Sequence, residues 1–218
     1  MESYLKALEA AILQYVGSPV LDRLRANPAN ALQLSRQLVE ATILFTDIRS
    51  LNDLRKDIPE EKLLDDLNVY FERMSEVIIR NNGFVDSLIG DSIFAIFGIS
   101  NSRHADDACK AAVECLKSLD KFNMRLESRA KLEMGIGINS GKVMLGNIGS
   151  KYKLKFTAMG DNVNLASIME GLTKEYHRPI LLTEYTKELL TIGVNTRELD
   201  AISVFGLDRK LTVYSLEV

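Results

Sequence analysis

The sequence predicts an α/β fold, an α+β sandwich in which an antiparallel-rich sheet carries helices packed against it. Three observations lead there. Short β-rich apolar runs at 41–45, 84–89 and 92–97 are separated by long amphipathic helical segments at 59–80 and 105–123. Their order reads β-α-β-β-α-β with additions. The chain has 218 residues, 46% of them hydrophobic, enough to fill the core of one such domain with a short extension.

Taken in order, residues 1–40 read as a helical connector and 41–218 as the globular domain. From Glu2 to Tyr15, Leu5, Leu8, Ile12 and Tyr15 recur at alternating three- and four-residue steps. This is the spacing of a short coiled-coil seam, and equally of a helix packed on its own domain. Gly17-Ser18-Pro19 breaks that helix, a second short helix runs through Arg25, and Asn27-Pro28-Ala29-Asn30 is a second break. Ala41 to Phe45 is apolar on both faces, as in a buried strand. Pro59 and Glu60 open a helix whose apolar stripe is Leu63, Leu64, Leu67, Tyr70, Phe71, Met74 and Ile78, ended by Asn81-Asn82-Gly83. Strands 84–89 and 92–97 join at Gly90-Asp91, a tight hairpin. After the helix at 105–123, strands are expected at 131–138 and 143–148 around a turn at Asn139-Ser140-Gly141, and at 156–159. A helix at 162–176, a strand at 179–182, a helix at 184–190 and strands near 202–205 and 211–216 complete a ferredoxin-like βαββαβ core with appended strands.

Composition excludes several function classes. The net charge is −3, with no basic stripe interleaved with aromatics, so a nucleic-acid polymer is not an expected partner. No apolar run approaches about 20 residues, so no membrane span is expected in this chain. The start Met1-Glu2-Ser3-Tyr4 does not read as a signal peptide. Cys109 and Cys115 lie in one expected helix, six apart and so not on one face, and read as buried reduced thiols that suit the cytoplasm.

Two carboxylates stand out. Asp47 directly follows the first strand, and Asp91 lies in the hairpin turn between the next two. If those strands are neighbours, both side chains project from one end of the sheet. A carboxylate pair with a nearby main-chain carbonyl suits hard divalent cations such as Mg²⁺ or Mn²⁺. Two such ions about 4 Å apart can activate an attacking oxygen and stabilise a leaving one. On spacing alone, ordinary turn chemistry accounts for both aspartates more readily than metal binding does.

Longer stretches carry a resemblance. Phe45-Thr-Asp-Ile-Arg-Ser50 and Gly83-Phe-Val-Asp-Ser-Leu-Ile-Gly-Asp91 are similar to the two metal motifs of class III adenylate and guanylate cyclases. Gly135-Ile-Gly-Ile-Asn-Ser-Gly141 and Gly146-Asn-Ile-Gly149 match two further blocks of that family. Phe156-Thr-Ala-Met-Gly-Asp-Asn-Val-Asn-Leu-Ala-Ser167 resembles its segment that reads the base and contacts ribose and phosphates. Five blocks in order, from about Tyr15 to Tyr214, make this a specific likeness. It implies a homodimer with composite sites. One protomer supplies Asp47, Asp91 and the Ile48 carbonyl to two Mg²⁺ or Mn²⁺ ions, and Arg49, Ser50, Leu51 and Asn52 offer main-chain N–H groups to the phosphates. The other supplies Ser87 and Thr157 to the base and Asn164 to the reacting end. The implied reaction turns a nucleoside triphosphate, ATP foremost, into its 3′,5′-cyclic nucleotide and pyrophosphate, with an upstream sensor domain as a further partner.

The chain departs from the family's pattern at three points. Ser87 stands where adenylate cyclases usually carry a base-reading Lys and guanylate cyclases Glu; a hydroxyl bonds weakly to almost any base and leaves selectivity open. Ile168 replaces an Arg that stabilises phosphate charge, and Val204-Phe-Gly-Leu207 lacks the usual phosphate-binding Lys. Losing one preorganised donor costs roughly 3–4 kcal/mol. Lys151, Lys153 and Lys155 precede the base-reading segment, and read either as a solvated charged loop or as substitute cations. His104 and His177 have no partner at useful spacing and are assigned no role. Against the cyclase reading stands a second one, a degenerate cyclase-like domain that binds nucleotide or dimerises as a regulatory module.

Overall fold

The computed structural model describes residues 1–49, 51, 58–126, 131–204, 206 and 208–217. Helices α1 (Glu2–Tyr15), α2 (Ser18–Ala26) and α3 (Pro28–Ala31) lead into β1 (Ser35–Arg49). Then come α4 (Glu60–Arg80), β2 (Gly83–Ile89), β3 (Ser92–Phe97), α5 (His104–Asn123), β4 (Glu133–Ser150) and β5 (Lys153–Met159). Helix α6 (Asp161–Glu175), β6 (Ile180–Thr183), α7 (Glu184–Glu188), β7 (Thr196–Ile202) and β8 (Leu211–Leu216) close the chain. The sheet order is β2-β3-β1-β4-β6-β8-β7, with β5 paired to β4. Its first four strands have the ferredoxin-like arrangement, and every ladder is antiparallel except β4 with β6.

Two layers of side chains follow from strand alternation. On one face Leu44, Ile48, Ile93, Ala95, Phe97, Met134, Ile136 and Ile138 meet α4 and α5. On the other, Ile43, Phe84, Phe94, Ile96, Val143, Leu145 and Phe156 form a second cluster, with Phe45 stacked on Phe94 at 4.7 Å. In α4 the buried residues are Leu63, Tyr70, Met74, Val77 and Ile78; Leu64, expected in the stripe, is exposed. The helix ends as Asn82 takes a left-handed φ of 62°, a conformation Asn tolerates. Cys109 and Cys115 are both buried and free. They share one core cluster although six residues apart, because α5 is buried on more than one face, and burial pushes both thiols up to about 12.

The main differences from the sequence reading are at strands. Residues 133–150 form one continuous strand, with no turn at 139–141. The whole length of β1 pairs with it, from Ser35 opposite Asn147 to Arg49 opposite Glu133, and that ladder carries the chain straight through Ser140. Strand β7 lies at 196–202, earlier than the expected 202–205. Helix α1 buries no residue on its own domain; Leu5 and Leu8 are exposed, and an Arg25–Glu9 ion pair at 3.2 Å ties α2 to it.

Helix α6 lies against β4, and its approach requires glycine. A Cβ on Gly137 would sit 2.1 Å from the Glu170 nitrogen and 2.2 Å from the Ala166 oxygen, both main-chain atoms of α6. A buried polar chain fastens the same helix at its start. Asn139 donates to the Asn162 carbonyl at 2.8 Å, and Thr183 donates to Asn139 at 2.7 Å. Ser140 bonds Thr186 at 3.0 Å and Thr42 at 2.6 Å, and Thr42 bonds His104 Nδ1 at 2.7 Å. Replacing Asn139 leaves the Asn162 carbonyl and the buried Thr183 hydroxyl without these partners. We expect Asn139→Ala to destabilise the fold by about 1–3 kcal/mol, read as a lower urea midpoint at unchanged slope.

Candidate active site

The site begins at the end of β1. Asp47 is Cα-paired with Ser92, the first residue of β3, so the β2–β3 turn lies beside it. Gly90 has φ +64° in that two-residue turn, the glycine-first pattern of a tight hairpin, and Asp91 follows. The two carboxylates are therefore neighbours. Partial burial, and then the Asp47 charge, push the Asp91 carboxyl above the usual range. Ser92 donates to Asp47 Oδ1 at 2.7 Å, and Lys174 of α6 reaches Asp47 Oδ2 at 3.3 Å. Glu170, one turn earlier on α6, is raised by burial and then by Asp47. The Ile48 side chain is buried in the core, so only its main chain is left for a ligand. Carboxylates, a hydroxyl and a main-chain carbonyl are hard oxygen donors, the kind that Mg²⁺ and Mn²⁺ take. Among the described residues no group of three or more His, Cys, Asp or Glu is placed to hold a metal; the convergence is of the two aspartates.

Arg49 is the last residue of β1, Cα-paired with Glu133, rather than part of a loop. Its Nε and Nη2 are buried without a hydrogen-bond partner, as is Glu170 Oε1, and both residues approach Gly135. Leu51 is helical and buried in the core. Ser50 and Asn52 lie outside the described residues, as do Phe205 and Leu207.

The remaining expected residues stand apart from the carboxylate pair. Asn164 is exposed in the first turn of α6, and Ile168 stands one turn later, 38% exposed, so this position faces outward rather than into the core. Thr157 lies on β5, half-buried. Ser87 lies on β2 just after a bulge at Asp86. There Lys155 of β5 brings its ammonium to 2.5 Å from Asp86 Oδ2 and 2.5 Å from the Ser87 hydroxyl, and Ser87 in turn donates to Asp86. The reading of Lys155 as a solvated loop cation is thus corrected, since it is an anchored strand residue. Among the described residues no hydrogen bond or ion pair joins Asp47 or Asp91 to Ser87, Thr157 or Asn164. A cavity of about 290 Å³ lies elsewhere, between α2 and the sheet, lined by Arg23, Val39, Leu145 and Phe156.

Lys174 is the group that sequence reasoning missed, whereas Lys155 was named among the substitute cations without its partners. Lys174 lies far along α6 from every motif. Lys155 was visible only as one member of a basic run, and its contact is made with residues 68 and 69 positions away.

Comparison with known proteins bears on the family and the fold. The family model of the adenylate and guanylate cyclase catalytic domain matches residues 34–218. The terminal-differentiation-specific adenylate cyclase of Dictyostelium discoideum is 35% identical over 80% of this chain and 8% of its own length. Adenylate cyclase 1 of Rhizobium meliloti is 31% identical over 81% of this chain and 27% of its own. The chain thus spans well under half the length of these relatives. Among solved structures, a bacterial light-regulated adenylyl cyclase superposes with a TM-score of 0.85 at 26% identity, over 98% of this chain and 61% of that one. The adenylyl cyclase CyaB from P. aeruginosa gives 0.72 at 28%, over 85% and 97%. No described helix is long and apolar enough to cross a membrane. With the family match covering most of its length and the fold shared with solved cyclase domains, the chain belongs to the adenylate and guanylate cyclase catalytic domain family.

Proposed function

We propose that this domain is a nucleotide cyclase of cyclic-nucleotide signalling, converting a nucleoside triphosphate, ATP first, into its 3′,5′-cyclic product and pyrophosphate. The observation that carries the reading is the convergence of Asp47 and Asp91 beside Ser92 at the end of β1. Asp47, Asp91 and the Ile48 carbonyl would hold Mg²⁺ or Mn²⁺, two per site. Bound there, the ions lower the pKa of the ribose 3′-hydroxyl and neutralise charge on the triphosphate. In the reaction the 3′-hydroxyl would pass its proton to solvent and its oxygen would bond to the α-phosphorus, while the bond from that phosphorus to the pyrophosphate oxygen breaks and pyrophosphate leaves. Lys174, paired with Asp47 at 3.3 Å, would give up that carboxylate to a bound cation and could then meet a phosphate oxygen. Ser87 and Thr157 would line the base pocket, and Asn164 would orient the ribose end.

The separation of the half-sites in one chain supports a homodimer in which each site takes one half from each copy. The Leu5–Leu8–Ile12 seam of α1, with Leu5 and Leu8 exposed and Ile12 half-buried, supports the same assembly, and 98% of this chain, connector included, is covered by the likeness to the light-regulated cyclase. That likeness supports an upstream sensor domain acting through 1–40. The second reading, a regulatory module with little activity, rests on Ile168, an apolar outward residue where the resembling enzymes place a cation.

The test is purified protein with Mn²⁺ and each of four nucleoside triphosphates, with detection of cyclic product. The cyclase reading expects product, with turnover per chain rising with protein concentration as two copies meet. Folded protein that makes none favours the regulatory module. Calorimetry should find metal–nucleotide binding abolished or strongly weakened in Asp47→Ala; equal binding by wild type and variant would remove Asp47 from the metal site. Because Ile168 is outward, Ile168→Arg should fold and place a guanidinium where Asn164 points. Its charge matters most as negative charge moves onto pyrophosphate, so we expect turnover to rise about 10-fold or more with little change in nucleotide affinity. A folded variant with unchanged turnover would show that position 168 does not limit the reaction.

A further inference from the structure

We infer that Lys155, reaching from β5 to the β2 bulge, is the specificity-determining cation of the base pocket, and that it selects adenine. This rests on the cyclase reading of the same site. A bulge at Asp86 puts two successive residues of β2 opposite one of β3 and re-aims their side chains. Both Asp86 and Ser87 consequently meet the Lys155 ammonium, at 2.5 Å each.

Counting donors decides what this corner offers a ligand. The single Ser87 hydroxyl hydrogen goes to Asp86, so Ser87 has none left for a base. The Asp86 side chain is fully buried, which removes its carboxylate from a ligand's reach. Lys155 is 46% exposed and carries three N–H bonds, of which two are committed to Asp86 and Ser87. The third is left for a ligand, on a side chain partly open to solvent. Thr157 lies two residues on along β5 and so on the same strand face, adding a hydroxyl that can accept.

A charged donor beside an acceptor is the complement of the adenine edge. Ring nitrogen N1 accepts from Lys155, and the 6-amino group donates to Thr157. Guanine held in the same placement turns an N–H donor toward the ammonium at ring position 1, and must shift to offer its 6-oxygen instead. Discrimination of this kind, where a buried or fixed polar group is left unpaired by the wrong ligand, is what hydrogen-bonded sites do well. The buried Asp86 holds the ammonium in place, so its role is positioning.

The experiment measures binding of triphosphates that cannot cyclise, with Mg²⁺, by calorimetry: 3′-deoxy-ATP, 3′-deoxy-GTP and the 1-deaza form of 3′-deoxy-ATP, which lacks the N1 acceptor. Wild type should bind 3′-deoxy-ATP about 10-fold or more tighter than either of the others, the usual worth of a hydrogen bond to a charged group. Lys155→Met, and Lys155→Met with Asp86→Asn to avoid a lone buried carboxylate, should bring the three affinities close together. Adding Ser87→Lys to Lys155→Met should restore the preference from the other strand. An ion pair serving only the fold would change melting temperature and leave the affinity ratios alone. Equal binding of the 1-deaza compound by wild type, which needs no variant to fold, overturns the inference while leaving the cyclase reading intact, as does a preference for 3′-deoxy-GTP. Failure of wild type to bind any of the three overturns both.

Discussion

The pairing of β1 with β4 is the constraint on which the other features rest. Fifteen residues of β1 run antiparallel to β4, whereas β3 holds β1 only from Thr42 to Asp47. A slip of one residue would turn every side chain to the opposite face. Leu44 and Ile48 would leave the helix layer, and Asp47 would point into it. The alternation of Ile43 and Leu44, buried in different clusters, makes such a slip costly on both faces at once. The Thr42–Ser140 hydrogen bond fixes the same register from within the sheet. Asp47 is therefore held by packing far from itself, and the β2–β3 hairpin carries Asp91 to it because β3 pairs with the same strand.

Helix α6 translates that sheet into chemistry. Leu165, Ala166, Met169 and Thr173 are its buried face, and the Gly137 contact brings its backbone against β4. Its outward and terminal positions are then determined. Lys174 at the far end meets Asp47, while Asn164 and Ile168 stand exposed near the start. Ten residues of helix separate Asn164 from Lys174, about 15 Å. The helix therefore holds these two positions apart, which fits the proposal that they serve different sites of a dimer.

Much of this was legible in the sequence, for physical reasons that differ by element. The strand at 41–45, the helix at 60–80 and the Gly90-Asp91 hairpin were readable because periodicity and turn chemistry are local. Asp47 and Asp91 were readable as a pair because each sits at a strand end whose neighbour could be guessed. Strand β4 was misread as two because Asn139-Ser140-Gly141 has turn composition, while pairing along its whole edge with β1 overrides that local preference. At Gly141 the glycine serves close approach, since a Cβ there would lie 2.6 Å from Asn162 Nδ2. The apolar seam of α1 was seen, but whether it packs on its own domain is a tertiary fact that two heptads do not encode.

The cations show most plainly why a motif is an incomplete description of a site. The sequence lacks positive charge at 87 and 168, and residue types at aligned positions would suggest a pocket stripped of it. What a ligand meets, however, is the position of a nitrogen, not the strand from which its side chain departs. Lysine has a long flexible stem, and anchoring its head by a carboxylate and a hydroxyl removes the freedom that would otherwise make it a poor fixed donor. Lys155 has those anchors in Asp86 and Ser87, and Lys174 has one in Asp47. The small Ser87 is what leaves room for an ammonium arriving from β5; a lysine there would put two like charges against the single carboxylate of Asp86. In the proposed base pocket the lack of a cation on β2 and the presence of Lys155 on β5 are in that sense one arrangement, in which the charge is attached to a different strand.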